Sequence, residues 1–219
     1  MTRVRIDLFS SLDGYTAAPD PAIENPMGAD WGALTAWYAA TRTFREKVFG
    51  DTTGEGTTGL DETFAAAFFE GIGAEIMGAA MFGLHANPDD SEWRGWWGDK
   101  PPFGCPVYVL THSAPRAPIA MDGGTIFHFR DGAIDTVLAE ASAAAGGLDV
   151  RVGGGIRTAR EFLRAGLVDE LHVGIAPIIL GRGNRVWDDL RGLEQTHTVT
   201  TVVAESGTIH VTFTRSVKA

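Results

Sequence analysis

Cysteine is almost missing from this chain: Cys105 is the only one in 219 residues. A disulfide within the chain is therefore excluded, and with no Cys-x-x-Cys there is no redox pair. Cys105 reads as a small, half-buried loop residue rather than a catalytic thiol. Runs of Lys and Arg are missing too. With 18 basic and 28 acidic side chains the formal net charge is −10, a poor balance for neutralising phosphates, so a nucleic-acid partner is excluded. No apolar stretch is long enough to span a bilayer. Arg3, Arg5 and Asp7 put charge where a signal peptide would be apolar. No membrane partner is expected, and the expected compartment is the cytoplasm.

Several site signatures are lacking as well. The six histidines, His85, His112, His128, His172, His197 and His210, show no metal-ligand spacing with one another or with cysteine, so no metal site is expected. There is no Gly-x-Ser-x-Gly elbow and no Gly-Lys-Ser/Thr phosphate loop. At 44% hydrophobic and 21% charged residues, the chain is too apolar for disorder and long enough to bury a core without covalent staples.

The patterning that remains alternates strands with helices. Val4, Ile6 and Leu8 alternate with charged residues, a strand to about Ser10, followed by an Asp13-Gly14 turn. Residues 16–33 read as a long loop, and Leu34, Trp37, Thr41, Phe44 and Val48 predict one amphipathic helix over 33–49. The Gly50–Gly59 stretch predicts an exposed loop, and a short helix follows around Glu62–Glu70. Buried strands are expected at Ala74–Met77, Val107–Leu110, Thr125–Phe129, about Val150–Val152 and Leu171–Leu180. Helices are expected on the Ile134, Val137, Leu138, Ala141 stripe and over Arg157–Ala165. Runs 195–204 and 208–215 around Ser206-Gly207 predict a closing hairpin. The expectation is one α/β domain over 1–219, without repeats or linkers, with a mostly parallel sheet and an antiparallel edge. The stretch 85–106 is a long aperiodic loop. Its Trp93, Trp96 and Trp97 either wall a flat substrate or cover a core.

Three segments could carry a ligand. Gly153-Gly154-Gly155-Ile156-Arg157-Thr158 joins a strand to a helix. Glycines let a ligand come close to the backbone, and a helix start offers unpaired N–H groups to a phosphate. The alternative is a tight turn that needs glycine for its own geometry. Thr158 stands where a dinucleotide fingerprint would have its last glycine, so this is not that motif. Gly78-Ala79-Ala80-Met81 repeats the strand-to-helix pattern. Thr111, His112 and Ser113 end a buried strand, where open α/β sheets hold ligands; a capped polar turn is the other reading.

Together these pieces resemble a known family. Gly153 to Gly155, Phe162-Leu163, Gly166-Leu167-Val168-Asp169-Glu170-Leu171 and Pro177-Ile178-Ile179-Leu180-Gly181-Arg182-Gly183 resemble the reductase domain of the bifunctional riboflavin-pathway deaminase-reductases. That domain is similar in fold to dihydrofolate reductase. Ser10-Ser11-Leu12-Asp13-Gly14 resembles the family's first strand and loop. Trp97-Gly98-Asp99, Pro101-Pro102-Phe103 and Pro106 to His112 resemble a stand-alone bacterial branch.

The resemblance implies a dihydrofolate reductase-like, three-layer α/β fold with helices on both faces, and an NADPH-dependent reductase. Gly153 to Thr158 would cradle the pyrophosphate, Gly78, Ala79 and Ala80 would start a second helix at the phosphates, and Thr111, His112 and Ser113 would face the adenosine. Ser10 and Ser11 would lie near the nicotinamide, with Asp13, Trp37 and Tyr38 at the substrate, a small pterin- or pyrimidine-like heterocycle. A homodimer is implied as well. Relatives carry a base after the second motif's glycine, where this chain has Ala79. NADH is then a possible cofactor unless Arg116 substitutes. Leu34 stands where dihydrofolate reductases place a helix carboxylate, which leaves Asp30 or Glu24 as the acid and argues against dihydrofolate itself. Two other readings stand beside this one: a non-catalytic ligand-binding protein on the same fold, and a flavin- or deazaflavin-dependent reductase.

Overall fold

The computed structural model describes residues 2–16, 28–87, 90, 92–112 and 116–216. Its strands are β1 (Val4–Ser11), β2 (Ile72–Gly78), β3 (Pro106–Leu110), β4 (Ile119–Ala120), β5 (Ile126–Arg130), β6 (Asp149–Gly154), β7 (Glu170–Ala176), β8 (His197–Val203) and β9 (Ile209–Arg215). Its helices are α1 (Trp31–Leu34), α2 (Ala36–Ala39), α3 (Arg42–Phe49), α4 (Leu60–Ala67), α5 (Ala79–Phe82), α6 (Ile134–Ala144), α7 (Ile156–Arg164) and α8 (Leu193–Thr196). The strands form one mixed sheet in the order β4-β5-β3-β2-β6-β1-β7-β9-β8. Contacts group the chain into two compact units, residues up to Ile6 with Gly71–Val168, and Asp7–Glu70 with Asp169 onward.

The first unit is the parallel part. β2 pairs with β3 and β6, β3 with β5, and β6 with the start of β1, all parallel; only short β4 runs antiparallel, on β5. Parallel strands covered on both faces carry apolar runs, as at Val107–Val109; every residue of Ala74–Met77 is buried too, although Glu75 interrupts that run. α6 packs on β2, β3 and β6, and α7 on β6 and β2. Phe82, Val107, Val109, Phe127 and Phe129 form its core, with Trp93, Trp97 and Phe103 packed at the margin. Under the sheet surface lies a buried ion pair, Arg151 Nη2 to Glu75 Oε2 at 2.6 Å, with the two residues 8% and 1% exposed. It ties β2 to β6.

The second unit holds the rest of β1, helices α1–α4, and the β7-β9-β8 portion. The expected hairpin is β8–β9, turning at Gly207 with φ of 84°. The expected single helix over 33–49 is three short ones. Thr41 breaks it: its backbone is extended, and its hydroxyl accepts from Phe44 N while donating to Tyr38 O. A threonine that caps a new helix cannot continue the old one. α3 accordingly contributes no buried residue, and the core is Phe9, Leu34, Trp37, Tyr38, Ala65 and Phe68. The strand expected to reach Leu180 stops at Ala176, because Pro177 has no N–H for the ladder. α4 begins at Gly59 with no side-chain cap of its own. The carboxylate of Glu205 accepts from Leu60 N at 3.2 Å instead and fills the space a Gly59 Cβ would need.

The Glu75–Arg151 pair gives a direct test. Glu75→Ala should cost about 3–5 kcal/mol in urea unfolding, because it strands a buried guanidinium. Replacing both partners with apolar residues should cost less than either single change.

Candidate functional site

In the first unit the three glycines have three different reasons. A Cβ on Gly153 would collide with Glu75 Oε1. Gly154 has φ of 129°, and a Cβ there would stand 3.2 Å from Met81 Sδ. Gly155 alone has ordinary backbone angles and open space on its Cβ side; the Gly154–Gly155 peptide is cis. The sequence argument that three glycines exceed a turn's need is thus narrowed: two serve the fold, and one leaves room for a ligand.

Immediately after Gly155, α7 begins. The N–H groups of Ile156, Arg157 and Thr158 precede the first intrahelical bond, Ala159 N to Gly155 O, and have no partner among the described residues. Such a start carries a partial positive charge. Gly78 caps the one-turn α5 beside it; a Cβ there would meet Thr158 Oγ1 at 2.5 Å. Ala79 is buried and Ala80 exposed. Both strand-to-helix turns expected from sequence exist, and Gly78 is glycine so that they can touch.

The third segment is partly seen. Thr111 is buried and its N–H donates to Arg130 O, while exposed His112 pairs with Asp131 at 2.8 Å. Ser113 lies outside the described residues, as does Glu24. Arg116 donates to Trp93 O and sits over the Phe129 ring at 5.1 Å. Trp93 donates from Nε1 to Phe82 O and, like Trp97, packs on the core, the structural one of its two readings. Cys105 is buried, and burial pushes its thiol up to about 12, far from nucleophilic.

In the second unit, Ser10 and Ser11 end β1 and are 1% exposed. Ser10 donates to Ser11 O, and Ser11 Oγ donates to Asp13 Oδ1 at 2.6 Å. Asp13 also accepts from Leu180 N and Gly181 N. The Ser11 hydroxyl and those two amides hold its carboxyl at about 2. Asp13 is therefore the clasp that fixes the loop after β1 to residues 180–181. Asp30 precedes α1 and is gripped by Arg182 through two contacts of 3.1 Å. Leu34, at the position of the absent helix acid, is fully buried. Tyr38 is a core residue stacked on Phe68.

Trp37 lines a cleft of about 800 Å³ whose walls all belong to this second unit. Beside it runs a chain of buried groups that the sequence did not suggest. Asp7 Oδ1 meets His172 Nδ1 at 3.2 Å, His172 Nε2 meets His210 Nδ1 at 2.9 Å, and His210 Nε2 meets Asp61 Oδ1 at 2.9 Å. Phe64 lies flat on both imidazoles, with centroids at 4.6 and 4.0 Å. Burial pushes His210 below its ordinary value, while the Asp61 hydrogen bond pulls it up. The two histidines are 38 residues apart and meet because β7 and β9 pair antiparallel. The available signal was a histidine inside each of two expected buried strands.

The profile of the RibD C-terminal domain matches residues 2–210. The chain belongs to that family. It is an oxidoreductase on a dihydrofolate reductase-like fold. A Shewanella sp. PV-4 protein named for riboflavin biosynthesis shares 20% identity, with 99% of this chain and 100% of that one covered and a TM-score of 0.61. RibD of Acinetobacter baumannii shares 17% over 99% of this chain at a TM-score of 0.54, and this chain spans 59% of its length. Dihydrofolate reductase of Enterococcus faecalis, complexed with NADP(H), shares 12% over 98% of this chain and 97% of its own, at 0.52. A search of curated proteins returns no match. The expectations of fold and family from the glycine turn and the Pro177 to Gly183 run agree with these findings.

The Asp13 clasp of this RibD C-terminal domain chain is pH-dependent in a defined sense. A carboxyl lowered from 3.8 to about 2 stabilises the folded loop above its ordinary value and loses that contribution as pH falls through about 2. A carbon-detected NMR titration should place the Asp13 midpoint near 2. Asp13→Asn should speed hydrogen exchange at the Gly181 amide.

Proposed function

We propose that the chain is a nicotinamide-dependent reductase that reduces a small pterin- or pyrimidine-like heterocycle, with NADPH as its cofactor and NADH as the alternative. The observation that carries this is the start of α7, where three unpartnered N–H groups follow a glycine with open space on its Cβ side. A dinucleotide diphosphate suits that arrangement, because amide dipoles can hold it without basic side chains. The residues present therefore fit the cofactor. When bound, it supplies the hydride.

Within this reading Gly155 to Thr158, with Gly78 to Ala80, receive the phosphates, and Thr111, His112 and Ser113 serve the adenosine. Ser10 and Ser11 belong to the nicotinamide, and Asp13 acts indirectly by fixing their loop. Trp37 borders the substrate, and Tyr38 backs it from the core. Asp30 is the acid, anchored by Arg182. Preference for NADPH over NADH should be small. Ala79 offers no cation to a 2′-phosphate, and Arg116 is engaged with Trp93 and Phe129. A homodimer is part of the reading. Among the described residues β8 is the edge strand and exposes Val199, Val202 and Val203, and an uncovered edge can pair with a second chain.

Fluorescence titration with NADPH and NADH is the decisive measurement; no binding of either at millimolar concentration overturns the reading. Gly155→Ala should fold normally, since its backbone is extended and nothing crowds the new methyl. It should weaken cofactor binding about tenfold, a loss of about 1.4 kcal/mol. Light scattering should give a dimer, and Val202→Lys should shift it towards monomer.

A further inference from the structure

The short helix α4 is attached to its sheet by little apolar surface. Of its eight residues only Asp61 and Ala65 are buried. Asp61 ties it to β9 and β7 through His210 and His172, and the line ends on Asp7 of β1. Phe64, three residues further along the same helix, lies flat on both imidazoles. Both attachments therefore end on the same pair of rings, and the charge on those rings decides how firmly α4 is held.

That charge follows from a count of protons. The His172–His210 contact joins two ring nitrogens at 2.9 Å, a distance that two lone pairs do not adopt, so it contains a proton. Each carboxylate contact, at 3.2 and 2.9 Å, needs a donor of its own. Three contacts take three protons, and two neutral imidazoles bring two, whichever tautomers they adopt. One further proton is required. Burial pushes His210 below its ordinary value, the Asp61 hydrogen bond pulls it back, and a charged His172 pushes it down again. The pair therefore takes one extra proton between its two rings, not two, and releases it as a unit.

The surroundings favour that single charge. Asp7 from β1 and Asp61 from α4 flank the rings and offset it from both ends. The face of Phe64 attracts a cation lying against it. The other packed elements bring little charge to the rings. α2 presents Trp37 edge-on to both, Phe68 stands edge-on to His172, and Glu62 of α4 is turned to Thr43 of α3. On β1, Arg5 lies two residues before Asp7 and shares its face of the strand.

We propose that these four groups form a proton-operated latch: an imidazole pair shares one proton between two buried carboxylates, docks α4 on β7 and β9 through Asp61, and releases the helix when alkaline pH removes that proton. An unfolded histidine loses its proton near about 6.5. The latch's contribution is therefore complete below that value and is lost as pH rises through the line's own release point. Asp61 also lines the cleft with Thr57, Thr58 and Gly59, so the latch holds one wall of it. None of this depends on the reductase reading.

Nitrogen NMR of the imidazoles in the whole chain reads the count directly. At about pH 6 three of the four ring nitrogens of His172 and His210 should carry protons, falling to two in one step at higher pH. Any other count at about pH 6 overturns the proposal. Hydrogen exchange, corrected for base catalysis, reads the helix. Opening of α4 should grow about tenfold per pH unit above that step, while α6 in the other unit stays constant. Unchanged protection of α4 across the step overturns the proposal too. Asp7→Asn replaces the carboxylate with an amide that donates its own N–H to His172. Two ring protons should then suffice at every pH, and α4 exchange should lose its pH dependence. Asp61→Asn makes the same replacement at the other end and serves if the first variant does not fold. A folded Asn variant that keeps the native pH dependence overturns the latch, and the two measurements on the native chain decide whether or not either variant folds.

Discussion

The buried Glu75–Arg151 pair is the constraint on which the first unit turns. Two charges in a low-dielectric interior are tolerated only when each meets the other in good geometry. Here the geometry is supplied by the parallel register of β2 and β6, which sets Glu75 beside Arg151. The same carboxylate fills the space beside Gly153, so the strand must carry glycine there. Two residues further on, the chain leaves the sheet at Gly155 and starts α7. The ion pair, the first glycine and the open helix start are consecutive consequences of one register. A turn built this way is held in place, because moving it would expose or separate a buried pair.

The second unit is held by a different device: polar clasps between segments distant in sequence. Asp13 reaches residues 180–181, Glu205 reaches the first N–H of α4, Arg182 reaches Asp30, and Asp7, His172, His210 and Asp61 form a buried line. Each clasp satisfies a backbone or side-chain group that would otherwise be stranded. Their common result is to fix loops around Trp37 and Asp61 without a large aliphatic core. Aromatic packing does the remaining work, with Phe9 touching Trp31, Trp37, Tyr38 and Phe68.

What could be read from sequence follows from which forces are local. Strand β3 was legible as a continuous apolar run, and β6 and β9 as short runs of β-branched residues beside turn signals, none of which needs a partner to be recognised. The turns at Gly78 and Gly153 to Gly155 were legible for the same reason. The break at Thr41 was not. Helical spacing of Leu34, Trp37, Phe44 and Val48 says nothing about whether a threonine hydroxyl will prefer to cap, and that preference is settled by the Thr57 backbone that receives Arg42 N. The purpose of Gly153 was hidden because its neighbour, Glu75, sits on another strand. The histidine pair was hidden because spacing along the chain is no guide to spacing across an antiparallel ladder. Asp13 stood out in its motif, but its engagement with Leu180 and Gly181 could come only from structure.

The acidity of the chain then acquires a physical sense. A protein with net charge −10 repels phosphorylated molecules at a distance, so any attraction for them has to be local. In the first unit the local attraction is a helix start with no basic side chain required. In the second, the cleft has carboxylates and no cation, so nothing local reverses the repulsion.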